Sequence, residues 1–301
     1  MGMQKEAGAF TRVYPLLGVL AVNYAVDACF SFLIVGFCEE LASLEIAKGM
    51  NRYFIEVAYK GSQFAGFQVQ NNGHSVQGAI DHALSTLMRV AIVTTGSSRT
   101  DAGVHAHQNF LHFDTDQSLH PQFLYKVNAI LPRDIVLKGV YAVPAEAHAR
   151  FAAESRSYQY FLYHTKDPFR QDRAYYYPYT LDFALLQQAA AIVSDYTDFS
   201  TFSKRNTQVK TYNCRILHSY WVREEGELVY HVRANRFLRG MVRGLVGTML
   251  RVGRGKLSIE QFHEAINAKD CTKADFAVPP EGLFLMQVQY PEGLLQPVMK
   301  L

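Results

Sequence analysis

Ten consecutive residues, Ser97-Ser98-Arg99-Thr100-Asp101-Ala102-Gly103-Val104-His105-Ala106, are the densest group of side chains in the sequence able to do chemistry. Asp101 is their only carboxylate, and Arg99 beside it favours the ionised form, because a neighbouring positive charge lowers the proton affinity of a carboxyl group. A carboxylate that stays charged suits nucleophilic or electrostatic work better than proton donation. Ala102 and Gly103 remove side-chain bulk and let a substrate approach the backbone. The competing structural reading of the same residues is an Asx turn with a surface ion pair. His105, His107 and His112 raise a second chemistry, a metal-dependent hydrolase, since histidines at i and i+2 on a strand can reach one ion. However, the order Asp, His, His, His within twelve residues fits no metal-ligand signature, and no metal is expected.

Other chemistries are excluded by what the sequence lacks. No GxxxxGK[ST] or GxGxxG follows a strand, so nucleotide hydrolysis and dinucleotide chemistry have no support. No GxSxG elbow presents an acyl-transfer serine. Cys29, Cys38, Cys214 and Cys271 form no CxxC pair, so neither a zinc knuckle nor a disulfide framework is expected. A reducing cytoplasm is the compartment this favours.

Charge adds a partner class. The 301 residues carry a net charge of +3, but the span Lys204 to Lys256 holds twelve Lys or Arg against Glu224, Glu225 and Glu227, a local +9. Such a concentration suits a polyanion, whereas the alternative is a solvated face with scattered counter-ions.

These residues need elements to position them. After Met50 the pattern predicts a strand from Arg52, a glycine-rich loop over Gly61 to Gly73, and a helix capped by Ser75, with Val76, Ile80, Ala83, Leu84 and Leu87 on its buried stripe. A strand near Ile92–Thr95 leads into the Asp101 loop, followed by strand Asn109–Phe113, helix Phe123–Ile130 and strand Ile135–Val143. The second half repeats the vocabulary: strand Arg156–Thr165, helix Phe183–Val193, a hairpin of Arg215–Val222 and Leu228–Ala234, a long helix Phe237–Val252, a shorter one Ile259–Ala268, and a closing strand Phe284–Tyr290. Arg236, Arg239 and Arg243 would share one face of the long helix, and Gly240, Gly244 and Gly247 would let it pack closely. The fold class expected is α+β: two similar mixed α/β halves with antiparallel sheets flanking a central basic cleft. The expected organisation is an extension over 1–49, an N-terminal half over 50–155 carrying the Asp101 loop, a C-terminal half over 156–293, and a tail over 294–301.

The extension looks foreign to the rest. Its apolar run from Val13 to Cys38 is interrupted by Pro15, Asn23 and Asp27, which argues against a membrane helix. It also lacks the charge pattern and cleavage site of a signal peptide. Met50 lies just before the first strand and is the expected start of the native chain, so no membrane association is expected.

Between residues 52 and 291 the sequence resembles the tRNA pseudouridine synthase A family, in which an RTDAGVHA loop carries the catalytic aspartate. The likeness is carried in order by Tyr59-Lys60-Gly61-Ser62-Gln63-Phe64-Ala65-Gly66-Phe67-Gln68, Val127-Asn128-Ala129-Ile130-Leu131-Pro132, Ala147-His148-Ala149-Arg150-Phe151, Arg156-Ser157-Tyr158-Gln159-Tyr160, Asn235-Arg236-Phe237-Leu238, Met241-Val242-Arg243 and Glu281-Gly282-Leu283. It departs at Ser98, where the family has glycine, and at Phe67, where it has tryptophan.

The resemblance implies isomerisation of uridine to pseudouridine at positions 38, 39 and 40 of the tRNA anticodon stem-loop. Asp101 would be the catalytic carboxylate, acting on the sugar carbon, on the uracil ring or on a sugar proton. Arg99 would flip the uridine or hold the backbone, Tyr158 would stack on the target uracil, and Arg243 would pair with Asp101. By its position alone, Tyr158 reads as a strand core residue. Leu285 is the candidate apolar wall for the uracil, and Lys204, Arg205, Lys210, Arg233 and Arg254 are candidate phosphate contacts. The resemblance further implies a homodimer and no small-molecule cofactor. The rival from another class is a tRNA-binding protein or chaperone without catalysis, against which the intact set Arg99, Asp101, Tyr158 and Arg243 argues.

Overall fold

Alternating large apolar residues make the first strand: Tyr53, Ile55, Val57 and Tyr59 face one side while Phe54 and Glu56 face the other, and Phe54, Ile55 and Val57 are fully buried. In the computed structural model, residues 49–70, 73–205, 209–224 and 226–301 are described. The extension over residues 1–48, with the apolar run discussed above, lies outside the described residues.

The strands are β1 (Asn51–Tyr59), β2 (Thr95–Gly96), β3 (His105–Thr115), β4 (Ile135–Val143), β5 (Ser155–Tyr163), β6 (Tyr175–Tyr176), β7 (Ile216–Glu224), β8 (Glu227–Ala234), β9 (Leu283–Gln289) and β10 (Gln296–Lys300). The helices are α1 (Val76–Met88), α2 (Phe123–Ile130), α3 (Phe183–Val193), α4 (Met241–Gly253) and α5 (Ile259–Asn267). The protein is thus a mixed fold of the α+β class.

The sequence leads us to expect two halves with antiparallel sheets, and the strands join in one ten-stranded sheet in the order β10-β4-β1-β3-β9-β5-β8-β7, with β2 on β3 and β6 on β5. Its two antiparallel sets meet where β3 and β9 run parallel, pairing His105 with Phe284 and Ala106 with Leu285. This junction gives the edges of both sets partners for backbone groups that would otherwise be open. It also places the strand that follows the Asp101 loop beside a strand some 180 residues later, in contact with β5 through the Tyr158–Leu285 pair. Gln296–Lys300, expected as part of a tail, adds an edge strand to β4. The short segment with Pro297 carries little strand signal, and a proline is tolerated there because only one edge is paired.

Among the helices, α1 begins as expected, with the Ser75 hydroxyl accepting from the Gly78 N–H. Helix α4 is shorter than its sequence pattern suggests. Gly240 takes a left-handed conformation (φ 75°) that breaks the run, so the helix starts at Met241. Arg236 and Arg239 therefore lie on the approach to the helix and do not share a helical face with Arg243. The other two glycines are sites of close packing, as expected. A Cβ on Gly244 would sit 2.7 Å from the Phe276 ring, and one on Gly247 would sit 2.2 Å from the Asp275 carbonyl oxygen. The segment 275–278 can consequently lie directly on α4 beside Arg243. Among the described residues no helix is long and apolar enough to cross a membrane.

Candidate active site

The Asp101 loop is held from beneath by one polar side chain. Asn109 in β3 is fully buried. Its amide oxygen accepts from the Ser97 hydroxyl (2.8 Å) and the Phe110 N–H (2.9 Å). Its amide nitrogen donates to the Ser98 carbonyl (3.1 Å) and the Tyr59 hydroxyl (3.3 Å). Tyr59 in turn bonds the Thr100 hydroxyl at 2.8 Å, next to Asp101 in sequence. The glycine-rich loop after β1 closes the other side, where the Phe67 N–H donates to the Thr100 carbonyl at 3.1 Å. Gly66, at φ 112°, leaves only 3.1 Å between a would-be Cβ and that same carbonyl. Phe67, buried, presses its ring onto Gly96.

Onto this frame the fold brings residues from distant parts of the chain. Arg243, in the first turn of α4, donates from Nε to the Val278 carbonyl (2.8 Å) and from Nη2 to the Phe276 carbonyl (3.4 Å). That anchorage turns Nη1 toward Asp101, 3.9 Å from Oδ2, with the carboxylate side chain 30% exposed and the guanidinium 15%. The separation is that of an ion pair and not of a hydrogen bond. Asp101 thus gains a positive neighbour without committing its lone pairs to short bonds.

Tyr158 is buried in β5, with its ring edge-on to Phe237 at 5.0 Å. Burial pushes its phenol up to about 12, and the Asp101 charge adds to the rise while Arg156 opposes it. The hydroxyl is therefore protonated at neutral pH. Leu285 is fully buried between Ala106 and Tyr158 on neighbouring strands and forms the apolar layer supporting the tyrosine.

Besides Arg243, four arginines gather here, Arg99, Arg150, Arg156 and Arg236, and no role is expected of Arg150 or Arg156 from the sequence. Arg156 is buried, and its guanidinium donates to four carbonyls: Ala153 (3.0 Å), Asn235 (3.1 Å), Ser97 (3.3 Å) and Arg150 (2.6 Å). It ties the start of the Asp101 loop to the loop before β5 and to the end of β8. Burial, with Arg99 and Arg236 close by, lowers the proton affinity of Arg150, so these three positive side chains share one region. The signal for Arg156 is available in the sequence as a cation two residues before Tyr158 on the same strand face. Nothing comparable marks Asn109 except a polar residue inside an apolar strand.

The expected phosphate contacts are dispersed. Lys204 lays its stem over Gly240 at the start of α4. Arg205 is exposed and faces Cys271 and Asp270, which raise its proton affinity. Lys210 is exposed. Arg233 donates to the Ser155 hydroxyl (2.9 Å) and to Gln289, and Arg254 lies 3.9 Å over the Tyr179 ring.

Of the histidines considered as metal ligands, His105 and His112 turn a ring nitrogen to a backbone N–H, and His107 stacks on Phe284 at 5.5 Å. His105 Nδ1 accepts from the Gly61 N–H at 3.1 Å and its ring stacks on Phe284 at 4.5 Å, while His112 Nδ1 accepts from the Ala149 N–H at 3.2 Å. Burial first, then the nearby Lys60 or Arg52, lowers each imidazole to about 4. Among the described residues no three His, Cys, Asp or Glu side chains converge as a metal site.

A family model described as tRNA pseudouridine synthase matches residues 196–291, the stretch that contributes Arg236 and Arg243, and it sets the class of the protein as an isomerase acting on tRNA. Whole-chain comparison narrows the class. The chain is 47% identical over 247 residues to the tRNA pseudouridine synthase A of Parabacteroides distasonis, covering 81% of this chain and 98% of that protein. It is 44% identical over 249 residues to that of Bacteroides thetaiotaomicron (81% and 93% covered) and 42% over 250 residues to that of Porphyromonas gingivalis (81% and 99%). The chain belongs to the tRNA pseudouridine synthase A family.

Proposed function

We propose that Asp101 is the catalytic carboxylate of a uridine-to-pseudouridine isomerisation at positions 38, 39 and 40 of the tRNA anticodon stem-loop. The reaction breaks the bond from the ribose carbon to N1 of uracil, turns the base, and forms a bond to C5. The C5 hydrogen leaves as a proton and N1 gains one, so no oxidant, reductant or cofactor is consumed. Attack on the sugar carbon, addition to the uracil ring and removal of a sugar proton all begin from an ionised carboxylate with free lone pairs. The observation that carries the reading is the pairing of Asp101 with Arg243 at 3.9 Å, a guanidinium held in place by the Val278 and Phe276 carbonyls.

The remaining roles follow from position. A uridine in a stem must leave the stack to reach a carboxylate, at a cost of about a few kcal/mol. Arg99, exposed beside Asp101, enters the vacated stack or holds the flipped backbone. Tyr158, backed by Leu285, packs on the extruded uracil, a type of contact that contributes about 1–3 kcal/mol per base. The arginines around Asp101, with Lys204, Arg205 and Lys210 further out, form the basic cleft that follows the phosphates. The enzyme works in the cytoplasm as a homodimer whose two subunits both touch the tRNA.

Mapping pseudouridine in an undermodified tRNA by carbodiimide labelling and primer extension tests this reading. The proposal expects stops at 38, 39 and 40 after treatment with the protein and none after treatment with the Asp101→Ala variant. Modification elsewhere in the tRNA alone would overturn the assignment of the stem-loop.

A further inference from the structure

The loop Ala147-His148-Ala149-Arg150-Phe151 raises a question of its own. Phe151 is 75% exposed, although four side chains bond the backbone of the loop that carries it. The Ala147 carbonyl accepts from Arg52 (2.9 Å), the Ala149 N–H donates to His112 (3.2 Å), the Ala149 carbonyl accepts from the Tyr290 hydroxyl (2.6 Å), and the Arg150 carbonyl accepts from Arg156 (2.6 Å). Ala149 itself is fully buried. An exposed phenyl is unremarkable on a loose loop, but here four side chains from distant segments fix the backbone that presents it to water. Leaving it there forgoes the gain from burying an aromatic ring.

Its surroundings identify what it meets. The Arg150 guanidinium lies 5.7 Å from the ring centroid, and the His148 ring lies at 4.4 Å. The Arg156 guanidinium that anchors this loop also bonds the Asn235 carbonyl (3.1 Å), next to Arg236, and Arg99 and Arg236 both lower the proton affinity of Arg150. The Arg156 nitrogen that bonds the Arg150 carbonyl also bonds the Ser97 carbonyl (3.3 Å), so this loop abuts the start of the Asp101 loop. A flat apolar ring rimmed by arginines complements a flat apolar base rimmed by phosphates.

We propose that Phe151 is a stacking platform for an RNA base lying outside the uracil pocket, next to the site where the target uridine leaves the stack, with Arg150 and Arg236 holding the flanking phosphates. The inference rests on the tRNA-modifying reading given above and adds a second base-contacting position to it.

The single tryptophan, Trp221, is buried, so a Trp221→Phe background allows Phe151→Trp to report on this position alone. Titration with an unmodified in-vitro tRNA transcript should quench the new indole emission saturably, and should do so equally when Asp101→Ala has removed turnover. In the parent protein, Phe151→Ala and Phe151→Leu should each weaken tRNA binding about 10-fold, whereas Phe151→Tyr should retain it, because only a π face is needed. Binding by Phe151→Ala equal to the parent, or an indole that tRNA does not quench, would overturn the proposal while leaving the enzyme's activity on tRNA intact. A change in sedimentation of Phe151→Ala without RNA would instead make the ring a subunit contact and overturn it too. If the parent protein neither bound nor modified the transcript, the functional reading itself would fall.

Discussion

Replacing Asn109 with alanine should uncouple binding from turnover. The side chain is fully buried and makes four hydrogen bonds, to Ser97, Ser98, Phe110 and Tyr59. Tyr59 keeps its bond to Thr100, so its hydroxyl stays satisfied. The Ser98 carbonyl and the Phe110 N–H lose the amide, and each buried group left short of a partner costs about 1–3 kcal/mol. Asn109→Ala should therefore destabilise the fold by about 2–6 kcal/mol, against the 5–15 kcal/mol typical of a domain. The larger effect should fall on catalysis, since Ser97 and Ser98 lead directly into Arg99 and Asp101. A displacement of about 1 Å in a reacting group can cost about 100-fold in rate. Urea unfolding would give the stability change, single-turnover pseudouridine formation the rate, and fluorescence anisotropy the tRNA affinity. The expected pattern is the stated loss of stability, a rate down about 100-fold, and affinity within about 3-fold of the parent. A variant destabilised to that extent but turning over at the parental rate would refute the claim that Asn109 positions the catalytic loop.

Three further outcomes follow from the geometry. Arg243→Ala should lower single-turnover rate about 100- to 1000-fold, and Arg243→Lys should recover only part of it, because lysine keeps the charge but lacks the Nε bond that aims the group at Asp101; equal rates for the two variants would contradict this. In Gly61→Ala, the new Cβ would meet the Val104 carbonyl oxygen at 2.0 Å, backbone against backbone, so denaturant titration should show about 1–3 kcal/mol of destabilisation. The buried imidazoles of His105 and His112, both lowered to about 4, stay neutral in the fold below pH 6.5 while the unfolded chain takes up protons. Stability is complete above pH 6.5 and should fall as the pH drops toward 4, by up to about 3 kcal/mol per histidine. His112→Asn, whose amide oxygen can replace Nδ1 as acceptor for Ala149, should flatten that slope, and an unchanged slope would remove His112 from the account.

Local patterns foretold most of the elements. Helices Phe123–Ile130 and Phe183–Val193 and strand Ile135–Val143 carry clear periodicity and lie where it puts them. The Phe237–Val252 run misled because apolar spacing continues through Gly240, and only the backbone conformation there ends the helix. The β3–β9 junction has no local signature at all, since it pairs segments far apart in sequence by satisfying open edges. The site shows the same division. Asp101, Tyr158 and Arg243 sit in motifs that stand out by residue type and family likeness, and the fold brings Arg243 to within 3.9 Å of Asp101. Asn109 and Arg156 act through bonds to backbone carbonyls and hydroxyls of distant segments, which only the folded chain reveals.

The central claim is that Asp101 drives uridine isomerisation, and the most direct test is tritium release from tRNA labelled at C5 of uracil. C5 gives up its hydrogen only when the new carbon–carbon bond forms. The account predicts release by the parent protein and none by Asp101→Ala at equal concentration and with tRNA affinity preserved. Release by both proteins, or loss of tRNA binding along with loss of release, would contradict a catalytic role for this carboxylate.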